Sequence, residues 1–381
     1  MYSVHQHWDP LRVCVVGRSY PPEFYSWIKV SHVRSLFERM AIETEEDYQG
    51  IIRKLESFGV TVMRPEIPAG LTPNPKWGNG YEAPPMTPRD YMVMIGENFY
   101  YYNYWPKFYN NIKDPSWDHY DTAKDFFANA PKWQQDEVLT VYNYNPTEEN
   151  FLDNCYQHIF DHITAQGNQL KHNMPHKVVN GAMVSRIGRD LYFGTQRYDE
   201  DQSQLKGLID QEFTQTRNHI VNTGGHSDGT YCPVAPGLII SLRDIPEYKT
   251  TFPDWEVVYL PPSNWTEVKE FIALKEKNAG RWWIPGFEQD QEVIDVVDTW
   301  LSKWTGYVEE TVFDVNMLIV DPKNVIAFSY NKQVFDALAR YGITAHVVPF
   351  RHRYFWDGGI HCVTMDLHRE GVRQDFFPGR L

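Results

Sequence analysis

Four polar clusters in this sequence carry side chains able to do chemistry, and each sits beside a glycine or a turn. They are Asp90 in Pro88-Arg89-Asp90, Asp190 in Gly188-Arg189-Asp190, the pair His226 and Asp228 after Thr223-Gly224-Gly225, and Cys362 in Trp356-Asp357-Gly358-Gly359-Ile360-His361-Cys362-Val363-Thr364-Met365-Asp366. Two of them share a design, a reactive-type side chain just past two glycines, where backbone can approach closely. A thiol near neutral pH needs a base or positive charge beside it to become thiolate. His226 has the residue type for that, and an aspartate can orient the imidazole. The remaining carboxylates are then free to hold a cation. Each residue also has a structural reading. A free cysteine usually packs as a small hydrophobe, Asp90 and Asp190 suit turns and caps, and His226 is compatible with a satisfied structural histidine. A metal site is a competing reading, since His226-x-Asp228 and His361 with Cys362 offer ligand types. There is no HExxH and no paired cysteine spacing, so the metal expectation is none. Neither GxxxxGK[ST] nor GxGxxG occurs, so a phosphate cradle is not expected.

The totals bound the class. The chain has 381 residues, 42% of them apolar, enough for a sizeable core. A net charge of -14 argues against binding nucleic acid or an anionic membrane, which both need a basic face. It is compatible with a cationic substrate. Cys14, Cys155, Cys232 and Cys362 are widely spaced and do not make a disulfide scaffold. No signal peptide pattern and no membrane-length apolar run is present, so a cytoplasmic protein is expected.

The elements that must position these clusters repeat. Residues 11 to 17 read as a buried strand, Glu43 to Phe58 as a helix closed by Gly59, and Val60 to Met63 as a strand. Hairpins are expected at Tyr91–Ile95 with Phe99–Tyr102, Ala182–Ile187 with Leu191–Phe193, Gly229–Val234 with Leu238–Leu242, and Asn316–Val320 with Val325–Phe328. Helices are expected near Gln204–Asn218 and Lys332–Tyr341, and returning strands at Trp255–Leu260 and Ile343–Val348. Tyr100 to Tyr120 reads as a long aromatic loop, with packing favoured over a channel rim. A hairpin, helix and strand repeated about five times suggests a radial architecture in one domain, 1–381. An ordinary α/β sheet with antiparallel edges is the alternative.

On these segments the chain resembles the amidinotransferases of the guanidino-group-modifying superfamily. Trp8-Asp9-Pro10-Leu11, Pro88-Arg89-Asp90, Gly188-Arg189-Asp190, His226-x-Asp228, Asn316-Met317-Leu318 and the segment from Gly358 to Asp366 occur in the family's order over nearly the whole chain. The last is the most specific. The resemblance implies an α/β fold, a five-bladed α/β-propeller (pentein) of ββαβ units with pseudo-fivefold symmetry. It implies that Cys362 attacks the guanidinium carbon of arginine, that His226 is general acid and base, and that Asp190 orients His226. Asp90 and Asp228 would grip the guanidinium by charge-assisted bonds. Arg243 lies near the family's arginine for a substrate carboxylate, and Asn316, Gly359 and His361 join the substrate-binding set. The implied cycle is ping-pong through an amidino-cysteine, needs no cofactor, and releases ornithine.

One departure bears on the acceptor. Glu309 and Glu310 stand where the glycine-using enzyme has a serine pair lining its site. Two carboxylates there favour a larger amine, such as ornithine or a diamine, over glycine; a solvent-facing turn is the structural alternative. Two other functions remain open. One is an arginine deiminase-like hydrolase, and the other a non-catalytic propeller that binds glycans through its aromatics. Expected partners are small molecules, with a homodimer as the oligomer to look for.

Overall fold

The computed structural model describes residues 1–67, 81, 83–101, 129, 131–132, 135, 151–172, 181–195, 202–266, 282–301, 304–305, 313–356 and 358–380. Its strands form five three-stranded sheets. One combines β1 (Leu11–Val16), β2 (Thr61–Met63) and the last strand, β15 (Thr364–Arg369). The second holds β3 (Met92–Ile95), β4 (Asn98–Tyr101) and β5 (Gln169–His172), and the third β6 (Val184–Ile187), β7 (Asp190–Thr195) and β8 (Arg217–Asn222). The fourth is β9 (Tyr231–Ala235), β10 (Leu238–Ser241) and β11 (Glu256–Tyr259), and the fifth β12 (Leu318–Asp321), β13 (Asn324–Ala327) and β14 (Thr344–Val347).

Every sheet has the same plan. Two strands pair antiparallel as a hairpin, and a third joins the second in parallel. Parallel pairing requires a crossover, which a helix usually supplies. Here the crossovers carry α1 (Ser31–Glu56), α2 (Phe151–Ala165), α3 (Gln202–Glu212), a short helical turn at Tyr248–Thr251, and α4 (Lys332–Arg340). This is the five-bladed α/β propeller of ββαβ units. The first blade is closed by the two ends of the chain, since β15 supplies the hairpin partner of β1. That is why the first copy of the repeat looks like strand, helix, strand in the sequence.

Inner strands such as β3, β6 and β9 are buried along their whole length, whereas β11 and β14 are half-buried in the middle and exposed at both ends. Two differences from the sequence expectation have physical causes. α1 begins at Ser31 rather than Glu43, because Val33, Leu36, Phe37, Met40 and Ala41 continue its buried stripe beneath polar neighbours. Arg217 and Asn218, expected as the end of a helix, instead open strand β8, because parallel pairing along β7 overrides a weak local preference. The pattern also does not delimit α2 and β5. Tyr100 and Tyr101 are buried in β4, while 102–120 lie outside the described residues.

At the inner strands an ionic hub holds three blades together. Asp366 on β15 accepts from Arg89 ahead of β3 (3.2 Å), through both oxygens from Arg186 of β6 (2.8 Å each), and from Arg369 (2.6 Å). All four side chains are buried. Burial alone would raise the Asp366 carboxyl, but the three guanidiniums hold it well below the ordinary range.

Candidate active site

The functional side chains come from equivalent places in the repeat. Asp90 lies just ahead of β3, Asp228 ahead of β9, Asn316 ahead of β12 and Cys362 ahead of β15. Pseudo-symmetry therefore gathers residues that are far apart in sequence at one end of the propeller.

Cys362 is the partly exposed cysteine, while Cys14, Cys155 and Cys232 are buried free thiols. Its loop is fixed by side chain to backbone bonds. Arg89 Nε donates to the carbonyls of His361 (2.7 Å) and Thr364 (3.0 Å), bracketing the cysteine. Asn316 accepts from the His361 amide at 2.8 Å and donates from Nδ2 to Cys362 Sγ at 3.1 Å. Gly359 has to be glycine here, because a Cβ would overlap the Asn316 amide.

Two carboxylates face the thiol. Asp228 Oδ2 lies 3.7 Å from Cys362 Sγ and 2.7 Å from His361 Nδ1. Asp90 Oδ1 lies 3.9 Å from His226 Nδ1. Asp228 Oδ1 and Asp90 Oδ1 are both buried without a hydrogen-bond partner. Buried carboxylate oxygens are normally satisfied, so two orphans in one site point to an absent donor. Burial raises Asp228 to about 6; His226 opposes this and Asp90 adds to it. Burial likewise pushes the Cys362 thiol well above its usual value, and Asp228 and Asp90 push it further. The Asn316 hydrogen bond works in the opposite direction. Such a site disfavours a thiolate until positive charge enters it.

The sequence-derived set is only partly assembled here. Cys362, His226, Asp90, Asp228, Asn316, Gly359 and His361 converge. Asp190 does not join them. It opens β7 at the hairpin turn, the far end of its blade from the site. There its oxygens accept from His219 (2.7 Å), Arg217 (2.7 Å) and Arg380 (3.2 Å). Burial is outweighed by the bonds from His219 and Arg217, which hold Asp190 below the ordinary carboxylate range. The carboxylate beside His226 is Asp90. His361 is buried beneath Asp228 rather than at the open face. Arg243 donates to the Thr223 carbonyl across Gly224, whose φ of 66° needs a glycine, and so braces the loop leading to His226. Glu309, Glu310 and Asp357 lie outside the described residues. Sequence reasoning missed Arg89 as the anchor of the cysteine loop; the signal was its place beside Asp90.

The described residues include one group of metal-ligand type, the exposed His32 and Glu292 with the half-buried Asp290. Their proximity by itself is not a metal site. No helix among them is long and apolar enough to cross a membrane.

No family model matches the chain. Its sequence is similar to the mitochondrial glycine amidinotransferase of Xenopus tropicalis, 21% identical over 98% of this chain and 84% of the relative. It is similar as well to inosamine-phosphate amidinotransferase 1 of Streptomyces griseus, 22% identical over 97% of each. Among solved structures it resembles an amidinotransferase of Microseira wollei from saxitoxin biosynthesis, with a TM-score of 0.59 at 17% identity and 99% coverage of both chains. The likeness thus runs the length of the chain, is to enzymes that transfer amidino groups, and agrees with the propeller fold.

Proposed function

We propose that the protein is an amidinotransferase that takes the amidino group of L-arginine onto Cys362 and passes it to an acceptor amine. The observation that carries this reading is the pair of orphaned carboxylate oxygens, on Asp90 and Asp228, beside a half-buried thiol. A guanidinium is planar, always cationic and rich in donors, which suits that acceptor pair.

Each residue then has a role. Asp90 and Asp228 bind the guanidinium and set its carbon against Cys362 Sγ. Its positive charge offsets the two carboxylates that keep the thiol protonated, so substrate binding itself favours the thiolate. Cys362 passes its proton to His226, and the thiolate adds to the guanidinium carbon. His226 gives a proton to the departing δ-nitrogen, ornithine leaves, and the amidino group stays on sulfur. The acceptor amine loses a proton to His226 and attacks the same carbon, and Cys362 is released. Asn316 holds the sulfur in place through the cycle. Glycine or a larger amine such as ornithine or a diamine is the acceptor. The reaction runs on these side chains alone, with small molecules as partners.

The test is incubation with arginine, alone and with glycine, ornithine, lysine and putrescine. Ornithine formed from arginine beyond one equivalent per protein only when an amine is present supports the reading (arginine labelled in its carbon chain distinguishes it from added ornithine). Citrulline and ammonia from arginine alone would replace it with hydrolysis.

A further inference from the structure

We infer that His361 is a positioning residue, which donates an N–H from beneath the site to Asp228 and fixes that carboxylate's charge and orientation. The inference deepens the proposed function and rests on it only where arginine is the probe.

The geometry is specific. His361 Nδ1 lies 2.7 Å from Asp228 Oδ2, the same oxygen that faces Cys362 Sγ at 3.7 Å. His361 is buried, and its backbone is clamped by Asn316 on its amide and Arg89 on its carbonyl. The ring therefore has little freedom to leave Asp228. Burial, with Arg89, His7 and Arg186 nearby, keeps the imidazole neutral, although Asp366 pulls the other way. A neutral imidazole has one N–H. Facing an ionised Asp228, that hydrogen belongs on Nδ1.

The other groups around Asp228 do not replace this donor. His226 and Arg89 favour its charge electrostatically, Asp90 opposes it, and Cys362 is a weak donor. The cavity behind the pair is lined by His7, Ser185, Tyr231 and Cys232 among others, with no lysine or arginine among the described residues. His7 is also held neutral, by burial first and by Arg186. Loss of the His361 donor then leaves Asp228 protonated to higher pH. A protonated Asp228 no longer opposes the thiolate, so the thiol reacts more readily, while the grip on a cation weakens. The two effects have opposite sign, which general damage to the site does not produce.

The test compares His361→Leu, which removes the donor, with His361→Asn, whose amide nitrogen can reproduce Nδ1. The rate of Cys362 alkylation by iodoacetamide is followed from pH 5 to 9 without arginine. His361→Leu should react several-fold faster than the parent near pH 7 and at the same rate at pH 5. His361→Asn should follow the parent throughout. Arginine turnover by His361→Leu should be about tenfold lower near pH 6.5 and recover as pH rises. Equal alkylation in all three proteins, or a rise by one factor at every pH, would overturn the inference. So would failure of His361→Asn to restore the parent profile. If His361→Leu does not fold, His361→Gln takes its place, since its amide nitrogen lies in the wrong position for Asp228. A parent that does not turn over arginine refutes the proposed function, and the alkylation profile still decides the role of His361.

Discussion

Asp90 and Asp190 look alike in the sequence, each closing an Arg-Asp pair beside a turn, and the structure separates them. Asp90 faces His226 near the thiol, whereas Asp190 is saturated by His219, Arg217 and Arg380. Asp90→Asn should lower kcat/KM for arginine by about 10- to 100-fold, the order expected for losing a charge-assisted hydrogen bond in the transition state. Asp190→Asn should leave turnover within about twofold and cost about 1–3 kcal/mol of stability, because part-buried donors lose their acceptor. Steady-state kinetics and urea unfolding on the two variants check both. The pH profile follows from Asp228. Its carboxyl, raised to about 6, is neutral below that pH and cannot grip a cation. Arginine kcat/KM should therefore fall as pH drops through about 6, and Asp228→Asn should abolish that limb along with most of the activity.

At the scale of elements, the site is made by turns that precede inner strands. The sequence shows these turns well. Gly358-Gly359 and Gly224-Gly225 mark close backbone approaches, and the hairpin signals fall within a few residues of the observed strands. What it does not show is direction along the blade. A turn at one end of a hairpin is in the site, and the turn at the other end is not, and Asp190 belongs to the second kind. Composition carries no mark of that difference, since both ends use Gly, Arg and Asp. The pairing of β8 was hidden for a related reason, because Arg217–Asn222 has polar residues on a strand supported mainly by its neighbour. Gly359→Ala tests the turn geometry. The added methyl meets the Asn316 amide, which holds both the His361 amide and the cysteine sulfur. Overpacking of this kind costs about 1–3 kcal/mol, and turnover should fall with it, measured by thermal unfolding and kinetics.

The whole molecule depends on a hub that no single segment of the sequence reveals. Asp366 joins Arg89, Arg186 and Arg369 across three blades, and Arg89 also clamps the cysteine loop. Fold stability and site geometry are thus coupled through one arginine. Asp366→Asn leaves buried guanidiniums without their counter-charge, and removing one partner of a buried ion cluster costs about 3–5 kcal/mol. The sign of the pH dependence follows from a folded pKa held below the unfolded one. The Asp366 contribution is present above the ordinary carboxylate pKa and is lost as pH falls through its depressed folded value. Acid unfolding should accordingly start from a lower plateau, and with a shallower acid limb, in Asp366→Asn.

The central claim is that Cys362 carries the amidino group. It is tested most directly by mixing the protein with guanidino-labelled arginine, quenching in acid, and mapping the label by peptide mass spectrometry. One labelled amidino group is expected on the peptide containing Cys362, with ornithine in solution and loss of the label when a competent amine is added. Cys362→Ala should carry no label. Ornithine and amidinated amine formed with no label on Cys362, or formed equally well by Cys362→Ala, would contradict it.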